Sequence, residues 1–348
     1  MNDPLGLLSS INLQEAQVIT PTTRARRPLL EPHPDIADAY ILRMDNSTLE
    51  RLDTCPRSSE YYCVNRRQGI SGAALAFGGA LHLGLELYYK GHDINHCVTR
   101  ACERYAPTVL RPDEWRTTDF LAHTLALYHR NYAHTDISPL TYDDKPFVEI
   151  GFSLPLGVFP INGTVAYSNR MLTGQDDDSN LYISELHVLW SGKIDLADRH
   201  IGAARIVDHK TSSIDGPSFY DQFYLSQPVH GYAWACEQIL GEPISQFLLN
   251  ALVIRKPTRT GTSNQFIRRS YRISEDNKRE FHQDVTSKIE DFVNYLTTGY
   301  FPKSPVWCQS KYGACQYFNV CQMDRSGKSV MLASDLYEDV TWSPLSDD

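Results

Sequence analysis

Two carboxylates and one ammonium stand close together in the stretch Trp190–Ser213, WSGKIDLADRHIGAARIVDHKTSS. Asp195 ends an apolar–polar alternation that begins at Val188. A turn-rich connection runs from Arg199 to Ala204, and the apolar run Arg205-Ile206-Val207 leads into Asp208-His209-Lys210. Side chains alternate across a strand, so Asp208 and Lys210 project to one face and His209 to the other. If the two runs pair as a hairpin, Asp195 comes to lie beside Asp208. Hydrolysis of a phosphodiester needs an activated water, a divalent cation against the charge that develops, and a donor near the reacting oxygens. Asp195 and Asp208 offer hard oxygen ligands suited to magnesium or manganese, and Lys210 could orient the water or stabilise the charged phosphorane. The same residue types also occur as ordinary solvated strand ends, so the triplet alone leaves both readings open.

Such a hairpin needs a sheet and helices to hold it. Strand-like runs extend from Phe147 to Leu156, Leu181 to Asp195 and Arg205 to Lys210, then from Phe247 to Arg255 and Gln265 to Arg272 around a turn with Pro257 and Gly261. Upstream, Ser47-Thr48-Leu49-Glu50 fits a capping box, opening a short helix that stops at Thr54-Cys55-Pro56-Arg57. A glycine-rich stretch leads into a helix from about Gly78 to Tyr89, stopped by Gly91, with His82 and Glu86 on one face. Ile94 to Tyr105 has helical spacing, and Pro112 opens a longer helix through Tyr132. Pro228 and Gly241 frame another helix, and Phe281, Val285, Ile289, Phe292 and Leu296 mark a last long one closed by Gly299. This order predicts an α/β fold with a central mixed β-sheet flanked by α-helices. Residues 1–36, rich in Pro, Arg and Thr, read as an extended arm, 37–330 as one domain and 331–348 as an acidic tail. Asp176, Asp177 and Asp178 lack the spaced ligands of a calcium site and read as a solvated loop.

The 348 residues carry 42 acidic and 33 basic side chains, a net charge of −9. Bulk charge therefore argues against a coat for nucleic acid, although a local basic track is allowed. Arg255, Lys256, Arg259, Arg268, Arg269 and Arg272 form such a track with no acidic residue among them, and Phe266 and Tyr271 could stack on bases. An ordinary solvated hairpin, with Phe266 in the core, is the alternative. No basic, apolar leader opens the chain, and the apolar stretch Ile70–Tyr89 contains glycines, His82 and Glu86. A soluble, cytoplasmic protein without a membrane partner is expected. There, the eight cysteines point to metal ligands or core thiols rather than disulfides. Ser326-Gly327-Lys328-Ser329 has Gln322 where a phosphate-binding loop requires glycine, so no ATPase activity is expected.

Four stretches, in family order, resemble the PD-(D/E)xK nuclease superfamily in its RecB-like exonuclease branch. Phe77-Gly-Gly-Ala-Leu-His82-Leu-Gly-Leu-Glu86 is similar to motif I, and Phe147-Val148-Glu149 with the run to Leu156 to the strand before the metal aspartate. Gly192-Lys193-Ile194-Asp195 and Ile206-Val207-Asp208-His209-Lys210-Thr211 are similar to motifs II and III. The resemblance implies a restriction-endonuclease-like core with Mg2+ or Mn2+ held by His82, Asp195, Asp208 and the backbone carbonyl of His209. Lys210 would be the catalytic lysine. The branch's Q-x-x-x-Y motif is matched by Gln227-Pro-Val-His-Gly-Tyr232, one residue longer and with a proline inside, and both Gln227 and Tyr232 are carried over as catalytic candidates.

Cys308, Cys315 and Cys321, with Cys55 as the fourth thiol, resemble the one-plus-three layout of the AddB-type and CRISPR-adaptation-type iron-sulfur nucleases, with a longer first gap. That layout implies a [4Fe-4S] cluster, with zinc as the alternative, clasping the N- and C-terminal segments together. Cys63 is a possible replacement for Cys55, while Cys97, Cys102 and Cys236 are assigned to packing. The expected function is a metal-dependent, phage-type DNA exonuclease of recombination, repair or end processing. Its expected partners are DNA and recombination or replication proteins, in the host cytoplasm if phage-encoded; no oligomeric state is marked. Two alternatives stay open: a non-catalytic DNA-binding or assembly protein on the same fold, and a CRISPR-adaptation-type end-trimming nuclease.

Overall fold

The computed structural model describes residues 28–70, 72–108, 110–132, 137–259, 264–310 and 313–340. Its main sheet has seven strands: β1 (Leu30–Pro32), β2 (Ala39–Met44), β3 (Val148–Ser168), β4 (Asn180–His200), β5 (Ala203–Ser212), β6 (Gln246–Val253) and β7 (Gln265–Arg272). The hydrogen-bonded order is β1-β2-β4-β5-β6-β7, with β3 on the other side of β4. Strands β3, β4 and β5 form an antiparallel meander, whereas β2 runs parallel to β4 and β5 parallel to β6, so the sheet is mixed as expected.

Six longer helices flank it: α1 (Asn46–Thr54), α2 (Ala73–Tyr89), α3 (Ile94–Tyr105), α4 (Thr118–Tyr132), α5 (Gln227–Leu240) and α6 (Glu275–Thr298). A parallel neighbour cannot be reached by a tight turn, and α5 lies in the connection that carries the chain from β5 to β6. Helices α5 and α6 cover one apolar cluster, where Trp190 meets Phe281 edge to face with ring centroids 5.3 Å apart. Gly231 permits this close approach, because a Cβ there would lie 2.7 Å from Phe281 and 3.0 Å from Trp190. Helices α2, α3 and α4 cover a second cluster, in which Phe77, Leu81, Tyr105 and Leu121 share burial with Val148, Leu196, Val207 and Leu248.

Several boundaries differ from the sequence reading. Asp45, not Ser47, caps α1, its carboxylate accepting the Thr48 N–H at 2.7 Å. Pro56 opens a separate four-residue helix. Helix α2 begins at Ala73, because the small residues before Gly78 are already helical. Pro112 sits in a turn and α4 begins only at Thr118, after the Thr117 hydroxyl accepts the Phe120 N–H. Gly91, Gly241 and Gly299 do end their helices, each with positive φ. The aspartates 176–178 are exposed, as expected, and Arg170 pairs with Asp176 and Asp178.

Both ends are more ordered than the arm and tail suggest. Residues 30–32 belong to the main sheet, and Tyr337–Asp339 pairs antiparallel with Arg67–Gly69. Tyr61, Tyr317, Val320, Leu332 and Tyr337 form a small apolar cluster beneath that pairing. The rest of the arm and tail, residues 1–27 and 341–348, and Gly261 in the turn lie outside the described residues.

The β4–β5 hairpin turns at Ile201-Gly202, both with positive φ. Next to that turn Asp198 and Arg205 are direct cross-strand partners and form a two-point pair, 2.9 Å from Nε to Oδ1 and 2.5 Å from Nη2 to Oδ2. Both side chains are buried, at 5% and 7% exposure, so neither charge has water as a substitute partner. Asp198→Ala is therefore expected to cost about 3–5 kcal/mol, because it leaves a buried guanidinium uncompensated. The measurement is the guanidinium chloride midpoint, and the double variant Asp198→Leu/Arg205→Met should recover most of the loss. A double variant no more stable than Asp198→Ala would show that the uncompensated charge is not the cause.

Candidate active site

Register brings the predicted residues together. Pairing of Leu196 with Val207 puts Asp195 next to Asp208, where the regular β4–β5 ladder ends. The His209 N–H, no longer needed by a strand partner on that side, donates to Asp195 Oδ2 at 2.7 Å. Alternation along β5 then separates the side chains as expected: Lys210 Nζ donates to Asp208 Oδ1 at 2.9 Å, while the His209 ring lies on the other face against Tyr89, 5.4 Å between centroids and nearly parallel.

His82 reaches the same point from the middle of α2, which is anchored by the buried Leu81 and Leu85 on either side. Its Nδ1 lies 3.9 Å from Asp195 Oδ2. One turn on, Glu86 binds Lys90 at 2.6 Å and does not enter this group. The third member is Glu149, which the sequence reading placed only on the strand before the metal aspartate. Ligand atoms of His82, Glu149 and Asp195 all lie within 4.8 Å of one another. The signal that could have marked Glu149 is an acid inside the apolar run Phe147-Val148-Glu149-Ile150; its nearness to Asp195 comes from the pairing of β3 with β4.

Glu149 has φ +56, a left-handed conformation rare for a non-glycine residue and characteristic of functional sites. Around it the strand alternation breaks. Val148 and its partner Leu196 pack with α2–α4, whereas Ile194 and Phe152 pack with α5 and α6. Glu149 and Asp195 thus sit where the sheet changes from one core to the other. Burial, reinforced by the charge of Asp195, holds the Glu149 carboxyl well above the usual carboxylate range, although Lys193, 3.7 Å away, opposes this.

The donor set suits a hard divalent cation, with carboxylate oxygens and one imidazole. Asp208 supplies a further observation. Its buried Oδ2 touches Lys210 Nζ at 2.6 Å without hydrogen-bond geometry, which leaves acceptor capacity for another cation. Burial raises the Asp208 carboxyl, with Lys210 acting against it. For Lys210, burial opposes the charge, but Asp208 and Asp195 outweigh it and keep the ammonium protonated. Desolvation, with the charge of His82 adding to it, pushes the His209 imidazole down to about 3, so the ring is neutral at ordinary pH.

Other predicted site residues are dispersed. Tyr232 joins the site, packed over Gly192, where a Cβ would come 3.2 Å from its ring, with its phenol raised by burial beside Lys210, Asp208 and Asp195. Gln227 does not: at the start of α5 it donates to Asp284 at 3.0 Å and accepts from Lys288. The extra residue in the Gln227–Tyr232 spacing puts the two on different faces of the helix.

The basic hairpin is also not one track. Along β7, Arg268 points inward over Tyr132, 3.6 Å from the ring centroid, while Arg269 points to the opposite face over Tyr220 at 3.7 Å. Arg255 is paired with Asp215 at 3.3 Å, and Lys256, Arg259 and Arg272 are exposed. Phe266 packs on Tyr128, and Tyr271 is buried with its hydroxyl donating to the Tyr220 carbonyl, so neither offers a free stacking face.

The four candidate cluster thiols lie near enough to influence one another, but no three of them bring their sulfurs within 4.8 Å. The Ser304 N–H lies 3.4 Å from Cys55 Sγ, and Cys308 Sγ lies 4.0 Å from the Ser304 carbonyl. Burial raises the Cys315 thiol, and the nearby Cys321, Cys55 and Cys308 sulfurs add to the effect. Cys63 is buried in the main core, its thiol pushed up to about 12 by desolvation, and so is no substitute for Cys55. Cys97 and Cys236 are buried, as assigned, and Cys102 packs against the second cluster.

Among solved structures, the chain is similar to a candidate exonuclease from Eubacterium rectale at 12% identity, covering 81% of this chain and 89% of that one with a TM-score of 0.44. LHK-Exo, solved in complex with dAMP, matches at 9% identity over 65% of this chain and 95% of that chain, with a TM-score of 0.19. Neither score is high enough to carry an argument. No curated protein matches the sequence. The family model of the PD-(D/E)XK nuclease superfamily matches residues 46–322, a span that includes His82, Glu149, Asp195, Asp208 and Lys210. The chain therefore belongs to the PD-(D/E)XK nuclease superfamily.

Proposed function

We propose that this nuclease is a divalent-metal-dependent deoxyribonuclease that works from DNA ends, in recombination, repair or end processing. The observation that carries the reading is the Lys210 ammonium bound to Asp208 beside the His82–Glu149–Asp195 group. His82, Glu149, Asp195 and Asp208 would hold Mg2+ or Mn2+, with the His209 carbonyl as a further ligand. When bound there, such a cation would lower the pKa of a water and neutralise charge developing on the phosphoryl oxygens.

The protein groups divide the remaining work. Asp208 fixes the Lys210 ammonium, whose remaining hydrogens can bind the attacking water or a non-bridging phosphate oxygen. The 43% exposure of the Lys210 side chain leaves it open to a substrate. The His209 N–H orients Asp195, and Tyr232 closes the apolar side of the site. Of the six basic residues singled out in the sequence, Lys256, Arg259, Arg269 and Arg272 are exposed, and with Arg269 lying over Tyr220 the other three are best suited to phosphate contact.

For the thiol group we propose a [4Fe-4S] cluster held by Cys55, Cys308, Cys315 and Cys321, with zinc as the alternative. The contact of Cys55 Sγ with the Ser304 N–H and the influence of Cys55, Cys308 and Cys321 on the Cys315 thiol support it. Its role would be to reinforce a closure that the Tyr61–Tyr317–Tyr337 packing already makes.

Three outcomes are expected. Lys210→Ala and Asp208→Ala should each lower cleavage of end-labelled linear DNA by about 10²–10³-fold, and cleavage surviving in both would remove the assignment. EDTA should abolish the activity and Mn2+ restore it, while covalently closed circles of the same sequence stay intact. Firm DNA binding without cleavage under any divalent ion would instead favour the non-catalytic reading. Anaerobically purified protein should contain iron, and Cys315→Ala should lose it; stoichiometric zinc with no iron would replace the cluster by the zinc site.

A further inference from the structure

A row of polar side chains, two buried and one half-buried, crosses three strands behind the site. Arg268 on β7 is the register partner of Asn250 on β6, and Asn250 is the register partner of His209 on β5. Asn250 has no exposed surface. Its amide contacts both neighbours: Arg268 Nε lies 3.5 Å from Oδ1, and Nδ2 lies 2.8 Å from His209 Nδ1 and 2.7 Å from the Tyr128 hydroxyl. The guanidinium is itself held, stacked on Tyr132 and donating through Nη2 to Tyr89 at 3.1 Å and Tyr128 at 3.2 Å.

The Arg268 contact sets the hydrogen assignment of this arrangement. A guanidinium only donates, so the Asn250 oxygen must face it and the Asn250 NH2 must face the other way. An amide NH2 also only donates, so His209 Nδ1 must accept and Nε2 must carry the proton. The ring so fixed stacks on Tyr89 and meets His82 edge-on, 6.1 Å between centroids. Its own backbone N–H is the donor that orients Asp195. The arginine at the sheet edge, counted in the sequence as a phosphate contact, faces inward to Asn250, whose other neighbour His209 touches His82 and Asp195.

We infer that Arg268 is a positioning residue for the metal site: through Asn250 it fixes the amide orientation, ring tautomer and seat of His209, and thereby the placement of His82 and Asp195. The inference rests on the metal site proposed above. Outer partners of metal ligands commonly change metal affinity by about 10–100-fold when they are removed. A phosphate contact behaves differently, weakening DNA binding at every sequence and lowering the salt slope by about one.

The test is calorimetric titration of Mn2+ into the full-length protein, with the salt dependence of DNA binding measured alongside. Arg268→Met is expected to weaken Mn2+ binding about 10-fold or more and to leave the salt slope unchanged. Arg268→Lys keeps the charge but cannot span Tyr89, Tyr128 and Asn250 together, so it should rescue only part of the loss. Tyr128→Phe removes the hydroxyl shared by Arg268 and Asn250, should weaken Mn2+ binding several-fold, and decides the matter if Arg268→Met does not fold. Unchanged Mn2+ affinity in the folded variants, or a salt slope that falls by about one, overturns the inference and leaves the metal site standing. No Mn2+ binding by the unsubstituted chain overturns both.

Discussion

Asp195 and Asp208 meet because β4 and β5 pair with Leu196 opposite Val207. A slip of one residue would turn Asp208 and Lys210 away from the site and bring His209 into their place. Nothing in the apolar content of Arg205-Ile206-Val207 forbids that slip as firmly as the Asp198–Arg205 pair does, since a shifted register would bury both charges without partners. A buried ion pair is weak evidence for net stability. Here its consequence is geometric, because it ties the hairpin that carries Asp195, Asp208 and Lys210 to one alignment.

The second constraint is the change of core at Glu149. Helices α2–α4 and helices α5 and α6 each need an apolar sheet face, and the meander serves both. Where it passes from one to the other, backbone conformation and alternation are irregular and two carboxylates are left between the cores. This geometry explains how acidic groups come to be grouped inside an otherwise apolar sheet, and why His82 can approach them from α2. The same site explains the close packing behind it, where Gly192 leaves room for Tyr232 and Phe152.

Charge on the edge strand shows how far residue type can mislead. Six basic residues between positions 255 and 272 look alike in sequence. Alternation on β7 sends Arg268 and Arg269 to opposite faces, and both guanidinium groups lie over tyrosine rings. Arg268 is accommodated in a partly buried place where Tyr89, Tyr128, Tyr132 and Asn250 surround it with acceptors and a π-face. Those partners come from two helices and a neighbouring strand, and no local pattern lists them.

Part of the local chemistry was legible in the sequence, although the caps and starts at Ser47, Gly78 and Pro112 were not placed correctly. The face shared by Asp208 and Lys210, the helix stops at Gly91, Gly241 and Gly299 and the mixed sheet follow from period, backbone freedom and element order, while the stretches around His82, Asp195 and Asp208 carried the resemblance to the family. Tertiary structure decided what depends on distant segments meeting: Glu149 beside His82 and Asp195, Gln227 turned to α6, Cys63 in the core, and Arg268 inward. The physical reason is that strand register and helix docking are set by the sum of buried contacts over the whole domain, whereas a sequence window contains only the contacts within itself.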